Sequence, residues 1–460
     1  MSTTQTIAVL AGAAIPMSLG SALAADAQSY TSADEVRAIV ADMMADAETR
    51  SSLLQTGGAA GYDEGFFIRG GGGEFELRVN GLVQFRYVMN FLDDNNTDAD
   101  FESGFDATRT ELSFSGHAGA ENIFYRIQGD FGDRGGDGTF NLEDAFLGYR
   151  FDNGWHLKFG QFKLGYMRSE MISDGHLLAA DRSVTNEYFS QGRSQGVELG
   201  YMGEDYRVML AFSDGFRSSN TEIGQNKGVG FITDPITNDV LGTTGYLNNG
   251  GEADLAFTAR GEYKFAGTWD QFADFTSPQG SEYAALLGVA GHIEYTDGDR
   301  FNQGGGGGEA TYYGFTVDLS LEGDGWNFFI AGMTSFEDLQ DLPDNTVAPI
   351  DTIDSESDDY GVVAQGGVFI PETDWELFAR YDAIFFDDSE RDLDEDTFQT
   401  VTFGANWYWD AHAAKFTIDV QWFLDEGNAL IGSSDVTNYV AQAADADDQF
   451  AIRAQFQLLF

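Results

Sequence analysis

From Glu74 onward the chain alternates. Phe75, Leu77, Val79, Gly81, Val83, Phe85, Tyr87 and Met89 take every second position, and Glu74, Glu76, Arg78, Asn80, Gln84, Arg86 and Asn90 fill the places between, with Leu82 and Val88 as exceptions. A period of two puts the apolar set on one face of a β-strand and the polar set on the other. The run is longer than the usual ~5–6 residues of a sheet strand and suits a tilted strand with one face in lipid and one in water. Further strands are read near 105–119, 122–131, 140–151, 154–168, 191–201, 205–213, 253–265, 282–296, 308–322, 325–337, 358–370, 373–386, 397–410, 412–424 and 447–460. That predicts an all-β, antiparallel barrel of about 16 strands over 74–460, an even number as bacterial barrels require.

The connections support this count. Ala120-Glu121, Asp152-Asn153, Gly203-Glu204, Gly323-Asp324, Pro371-Glu372 and Ala411 read as tight turns, while 92–104, 214–252, 338–357, 387–396 and 425–446 are long and acidic. Short periplasmic turns alternating with long outer loops are expected of a membrane barrel; the connection near 266–281 breaks the alternation. Pro235, Pro278, Pro343, Pro349 and Pro371 all fall in connections, and a barrel offers proline no edge strand. Trp155, Trp326, Trp375, Trp407 and Trp409 sit near strand ends, where an interfacial girdle is expected.

The first 73 residues differ. Residues 1–24 read as a signal peptide ending in Ala22-Leu23-Ala24, although no Lys or Arg precedes the apolar stretch. Ser32 and Glu35 form a capping-box pattern ahead of Val36, Ile39, Val40, Met43, Met44, Ala47 and Leu54. That predicts a periplasmic helix over 32–54, either lying against the barrel mouth or forming a trimeric coiled coil. A Gly-rich linker over 57–73 completes the region 25–73. Beyond the signal no apolar run reaches the ~18 residues of a membrane helix, and a spanning chain without helices must close as a barrel.

Composition adds three constraints. The 460 residues include 57 Gly but 6 Pro and no Cys, so thiolate chemistry is excluded. The net charge of −52 excludes a sequence-independent nucleic-acid binder. With 42% hydrophobic residues the acidity does not signify disorder, which places most acids on solvated loops.

Few motifs point to catalysis. Gly192-Arg193-Ser194-Gln195-Gly196 has the G-x-S-x-G spacing but enters a strand rather than a strand-to-helix elbow. His117, His156, His176, His292 and His412 are scattered, without the i, i+4 spacing of a zinc site. Asp94, Asn96, Asp98 and Asp100 have a calcium-loop spacing but lack its glycine and bidentate glutamate. Together with the cluster Asp392, Asp394, Glu395 and Asp396, they read as solvated loops or as weak Ca²⁺ bridges to neighbouring lipopolysaccharide. No cofactor and no enzyme activity is expected.

The basic residues carry more information. If the apolar face meets lipid, then Arg78, Arg86, Arg109, Arg126, Arg150, Lys158, Arg207, Arg260, Lys264, Arg380, Lys415 and Arg453 face the lumen, and Lys163 joins them if Gly160 shifts the phase. Glu111, Asp130, Glu262, Asp318, Glu376, Asp382 and Asp419 accompany them. Two readings follow: a cross-strand ion-pair lattice that stiffens the wall, or a basic ladder that guides anions.

A resemblance gives the barrel a context. Asn141-Leu142-Glu143-Asp144-Ala145-Phe146-Leu147-Gly148-Tyr149, Phe159-Gly160-Gln161-Phe162-Lys163, Asp181-Arg182-Ser183 and Arg193-Ser194-Gln195-Gly196-Val197-Glu198-Leu199, in that order, resemble the phosphate-selective porin O/P family. Gly81-Leu82-Val83-Gln84-Phe85 and the final Phe460 are compatible with it. The resemblance implies a 16-stranded, trimeric porin of the bacterial outer membrane whose third loop, Arg168 to Ser190, folds inward. It also implies recognition of Phe460 by the barrel-assembly machinery. The family's constriction lysines have no residue-by-residue match in this acidic chain. The expected function is a water-filled pore for small hydrophilic solutes, with a mild preference for anions such as phosphate carried by Arg126, Arg150, Lys158 and Lys163. The competing readings are a loop-closed barrel acting as an adhesin or structural anchor, and a barrel hydrolase. Small residues at Gly288, Ala290 and Gly291 suggest a wall able to pack against a neighbouring copy.

Overall fold

The computed structural model describes residues 59–70, 72–91, 101–132, 139–221, 231–233, 240–243, 252–296, 309–340, 356–387, 396–425 and 449–460. The expected signal peptide, the helix over 32–54, Asp94, Asp98 and Asp100, and all of the 392–396 cluster except Asp396 lie outside the described residues.

Sixteen long strands form the wall: β1 (Phe75–Phe91), β2 (Phe101–Ala118), β3 (Ile123–Asp130), β4 (Asn141–Arg150), β5 (Trp155–Lys163), β6 (Arg193–Met202), β7 (Tyr206–Ser213), β8 (Leu255–Ala266), β9 (Ala284–Thr296), β10 (Glu309–Gly323), β11 (Trp326–Gln340), β12 (Glu356–Phe369), β13 (Trp375–Phe385), β14 (Thr397–Asp410), β15 (Ala414–Phe423) and β16 (Phe450–Leu459). Each pairs antiparallel with the next. β16 pairs with β1, Phe456 opposite Phe85, and this closes the sheet without an edge. Alternation governs orientation along most of each strand. On β1, Phe75, Val83 and Phe85 are exposed to the lipid side while Glu76, Gln84 and Arg86 are buried inside.

Pro278 and Pro371 lie in connections. The turn-side tryptophans make contact at their strand ends, Trp375 stacked on Trp407 at 5.5 Å and Trp407 beside Trp409 at 4.4 Å. The long turn-side connection, 267–283, has a physical reason: it buries Phe272 and Phe275 within the barrel, where Phe275 packs on Phe329 at 4.8 Å.

Three differences from the sequence reading concern local geometry. Strand β5 ends at Lys163, five residues early, because Leu164 and Tyr166 turn into the lumen and are fully buried. Of the three small residues read as an outer packing face, Gly288 and Ala290 are buried inward, and a side chain on Gly288 would strike Arg260 and Asp318. Gly291 alone of the three lines an outer groove of about 630 Å³, beside Ala259, Leu210 and Phe257. Finally, part of the expected linker is strand. Ala59–Tyr62 and Phe66–Arg69 form a hairpin, and its second strand pairs with β1 just below the closure, Phe66 opposite Val79.

That hairpin meets the chain terminus. Phe460 exchanges backbone hydrogen bonds with Gly81, N to O at 2.9 and 2.7 Å. Its ring lies over Gly81, where a Cβ would approach within 2.5 Å, and contacts Phe66 edge-on at 6.2 Å. Glycine at position 81 is therefore what allows the terminal ring to seat against the wall.

Candidate constriction and its charged wall

Between β5 and β6 the chain leaves the wall at Leu164 and returns at Arg193, so residues 164–192 form the inward loop. Short helices at Arg168–Met171 and Val184–Phe189 shape it, the second capped by Ser183, whose side chain accepts from the Asn186 amide.

The loop crosses the lumen to the opposite wall. Arg260 on β8 donates to the Tyr166 carbonyl at 2.7 Å, and Arg168 donates to Ser320 on β10 at 2.8 Å. Lys415 donates to the Leu177 carbonyl and Asn406 to that of Leu178, at 2.7 and 2.8 Å. Tyr188 donates to Asp359 at 2.7 Å. Apolar contacts complete the seat, since Leu177, Leu178, Val184 and Phe189 share one buried cluster with Phe329, Met333, Val363 and Ile384. The loop thus fills the sector of the lumen in front of β8–β16.

The opposite sector stays open. Between the loop and β2–β6 lies a polar cavity of about 350 Å³. From the wall it is lined by Arg109, Glu111, Asp130, Glu143, Lys163 and Arg193, and from the loop side by Glu170, Asp174, Arg182, Glu187 and Arg217. Five cations and six carboxylates face one another there. They pair closely: Arg182 with Asp174 at 2.5 Å, Lys163 with Glu170 at 3.1 Å, Arg193 with Glu143 at 3.0 Å, and Arg109 with Asp174 at 3.1 Å.

Ionisation in the loop follows from these pairs. Burial opposes charge on Glu170, but Arg182 and Lys163 outweigh it and hold the carboxyl at about 2. Asp174 is likewise disfavoured by burial, yet Arg182, Arg109 and Lys163 hold it well below the usual carboxylate range. His176 goes down to about 4 because of burial and of His412, 4.7 Å away between ring centroids. These two histidines, far apart in sequence, meet beside Asp274, which lies 3.2 Å from His412.

The lumen-facing cations divide between the two sectors. Arg86, Arg260, Arg380, Lys415 and Arg453 are buried beneath the loop, each 3% exposed or less. Arg86 pairs with Asp181 at 2.6 Å, Arg260 with Asp318 at 2.8 Å and Arg453 with Asp419 at 2.8 Å. Arg207 pairs with Glu262 at 2.5 Å, and Lys264 donates to the Gly267 carbonyl at 2.8 Å. On the open sector, Lys163 and Arg109 line the cavity. Lys158 pairs with Glu198 at 2.9 Å and Arg126 with Asp144 at 3.4 Å, while Arg150 lies over the Phe124 ring at 4.2 Å. Arg78 pairs with Glu76 at 2.5 Å near the turn-side end. Gly160, with φ at 125° and the Ala145 carbonyl where a side chain would sit, interrupts the alternation between Lys158 and Lys163. Both lysines therefore reach lumen carboxylates despite their odd spacing.

Sequence reasoning did not single out Glu170, Asp174, Glu187 or Arg217 as cavity residues. Charged loop residues read as solvated, and nothing local shows that a loop turns inward. Arg182 was visible only within the blocks that carry the family resemblance, and Arg193 there and in the G-x-S-x-G spacing. Ser194, in the G-x-S-x-G spacing, meets the Ser218 hydroxyl at 2.8 Å, and the spacing begins at Gly192, with φ at 58°.

Comparison with known proteins agrees with this architecture. Residues 80–235 match the model of the family "Phosphate-selective porin O and P". No curated protein matches the chain. Among solved structures, the anion-selective porin from Comamonas acidovorans superposes with a TM-score of 0.52 at 10% identity, covering 84% of this chain and 100% of that one. The outer membrane channel DcaP of Acinetobacter baumannii gives 0.51 at 14% identity, covering 84% and 97%. OmpF of Salmonella typhi gives 0.50 at 13% identity, covering 87% and 100%. At such identities the likeness is one of fold. Over residues 80–235, then, this outer-membrane barrel is matched by the phosphate-selective porin O and P family, and its closed sixteen-strand fold is that of the outer-membrane porins.

Proposed function

We propose that this outer-membrane channel is a diffusion pore for small hydrophilic solutes, whose passage runs between the inward loop and the β2–β6 wall. The observation that carries the reading is the charged cavity of about 350 Å³ left in that sector. A barrel of about 16 strands is wide enough for an aqueous lumen, and the loop reduces it to one side. A loop-closed anchor would have no use for a constriction lined by eleven ionisable side chains. The same family match and fold favour a channel over a barrel hydrolase.

Selectivity follows from the open wall. Arg126, Arg150, Lys158 and Lys163 stand on the three neighbouring strands β3–β5, and Lys163 lines the cavity itself. Their carboxylate partners offset part of the charge, so the preference for anions, phosphate included, is mild. Charge more than the ~8 Å Debye length from the passage is largely screened at physiological salt, whereas charge in a narrow low-dielectric passage is screened less. The channel works as a homotrimer, as the family resemblance implies.

Single-channel recording of purified protein in planar bilayers tests the function. Stable conductance steps are expected; silence from folded, heat-modifiable protein would support the anchor instead. Light scattering in mild detergent is expected to give a three-chain mass, against a monomer mass. Deleting Phe460, which closes the β16–β1 seam onto Gly81, is expected to lower the yield of folded barrel in membranes, and a normal yield would remove its assembly role.

A further inference from the structure

One loop carboxylate occupies a position that neither the fold nor the family match explains. Asp181 lies in the inward loop with its side chain 1% exposed. Its Oδ2 accepts from Arg86 at 2.6 Å and from Arg453 at 3.0 Å. Its Oδ1 accepts from Arg86 at 3.0 Å and from Arg109 at 3.1 Å. Arg380 donates to its backbone carbonyl at 2.8 Å. These cations come from β16, β1, β2 and β13, so one carboxylate ties together the strands on both sides of the barrel closure.

Charge makes the arrangement more than a tether. Arg453 also pairs with Asp419, and Arg109 also pairs with Asp174, a group already shared with Arg182 and Lys163. Asp181 is thus the carboxylate that faces all three arginines at once. Arg109 lines the cavity itself, so the cluster borders the passage. Burial disfavours the charge on Asp181, but Arg86, Arg109 and Arg453 outweigh that cost and hold its carboxyl well below the usual range. Like charges held close in a low-dielectric site repel strongly unless neutralised.

We propose that Asp181 is a tethered counter-ion: it positions the inward loop across the β16–β1 seam and, by neutralising the triad Arg86, Arg109 and Arg453, sets how strongly the pore favours anions. The inference rests on the channel reading and adds a residue that determines its selectivity. With the carboxylate removed, the triad presents an excess positive charge beside the constriction. Mobile anions from solution then take the place of Asp181.

The test compares Asp181→Asn, which removes charge at nearly constant volume, with Asp181→Glu, which keeps charge and lengthens the side chain. Both are recorded in planar bilayers under a KCl gradient. Asp181→Asn is expected to raise the chloride-to-potassium permeability ratio about three- to fivefold, while Asp181→Glu stays near the wild-type ratio. A purely structural role would lower folding yield in both variants and leave the ratio of the conducting protein unchanged, and that result overturns the proposal. Should Asp181→Asn give little folded barrel, its refolding yield in detergent is measured in rising KCl against potassium gluconate at equal ionic strength. Recovery favoured by the small anion supports the counter-ion role, and equal recovery in both salts overturns it. A silent wild-type protein, by contrast, would count against the channel reading and not against the Asp181 socket, whose chloride dependence in refolding is still measurable.

Discussion

The inner wall has two faces built from the same residue types. On β8–β16, Arg260, Arg380, Lys415 and Arg453 lie beneath the loop with their carboxylates and backbone acceptors. On β3–β5 the cations are more open: the Arg126 side chain is 41% exposed, against 0% for Arg260, Arg150 lies over the Phe124 ring, and Lys158, paired with Glu198 at 2.9 Å, is 15% exposed. The comparison teaches that a lumen-facing cation has no fixed meaning. On the proposed function, a covered cation serves mainly the fold and an open one the passing solute, and the triad at Asp181 joins the two because Arg109 lines the cavity. The loop divides the basic residues into a covered set and an open set, so that the two readings sequence leaves open, lattice and ladder, can be tested apart.

This division can be broken by substitution. The largest effect on stability is expected on the covered face. Asp318 holds Arg260 through two hydrogen bonds, at 2.8 and 3.0 Å. Asp318→Ala is expected to cost about 1.5–3 kcal/mol, the worth of hydrogen bonds to a charged group, since Arg260 keeps Glu262 at 2.9 Å and the Tyr166 carbonyl at 2.7 Å. Denaturant unfolding of the barrel in lipid vesicles measures it, and a loss under about 1 kcal/mol would mean that the covered lattice does not hold the wall.

The next effect belongs to the open face and to function. Replacing Lys158 and Lys163 together by glutamate is expected to reduce or reverse anion preference in the reversal potential under a KCl gradient, read on the folded, conducting protein, because Glu198 and Glu170 lose their cation partners. Unchanged selectivity would move both lysines into the lattice.

Smaller still is a pH effect at the junction of the loop and the turn side. His176, held at about 4 by burial and by His412, is also faced by Asp274 and Lys415. Because its folded value lies below the ordinary 6.5, its neutral form contributes fully above pH 6.5, and that contribution is lost as pH falls from 6.5 toward 4. Glu170 responds lower, its contribution lost from the ordinary 4.5 down toward 2. Loop loosening, read as current noise in single channels, is therefore expected to begin between pH 6.5 and 4, and His176→Asn should shrink that first phase, leaving the part due to His412, which burial also pushes down. Noise that rises only below pH 4 would assign it to the carboxylates. The smallest effect is at Arg126, whose exposed pair with Asp144 is worth less than about 1 kcal/mol; Arg126→Ala is expected to leave unfolding unchanged.

Much of the barrel is legible in the chain because lipid and water impose a period of two on each strand. That is why Phe85 and Arg86, adjacent in sequence, could be assigned opposite faces. The loop interior is not legible in the same way. Asp181 finds Arg453 across 272 residues and Tyr188 finds Asp359 across 171, and no local pattern encodes such pairings. Gly288 misled for a related reason: small size suggested an outer packing face, while the side chains of Arg260 and Asp318 were what required the space. The hairpin at 59–69 was hidden by glycines that read as linker.

The central claim is that the passage lies against β2–β6 and not against β8–β16. The chain contains no cysteine, so single cysteines report without background. Thr108 lines the cavity and Thr402 is fully buried on the covered face, 3.3 Å from Arg380. Each is replaced by cysteine in turn and exposed, while conducting, to a charged methanethiosulfonate reagent. A reagent-dependent fall in single-channel current at Thr108→Cys with none at Thr402→Cys is the predicted result. Block at Thr402→Cys with no change at Thr108→Cys would place the pathway on the other wall and contradict the account.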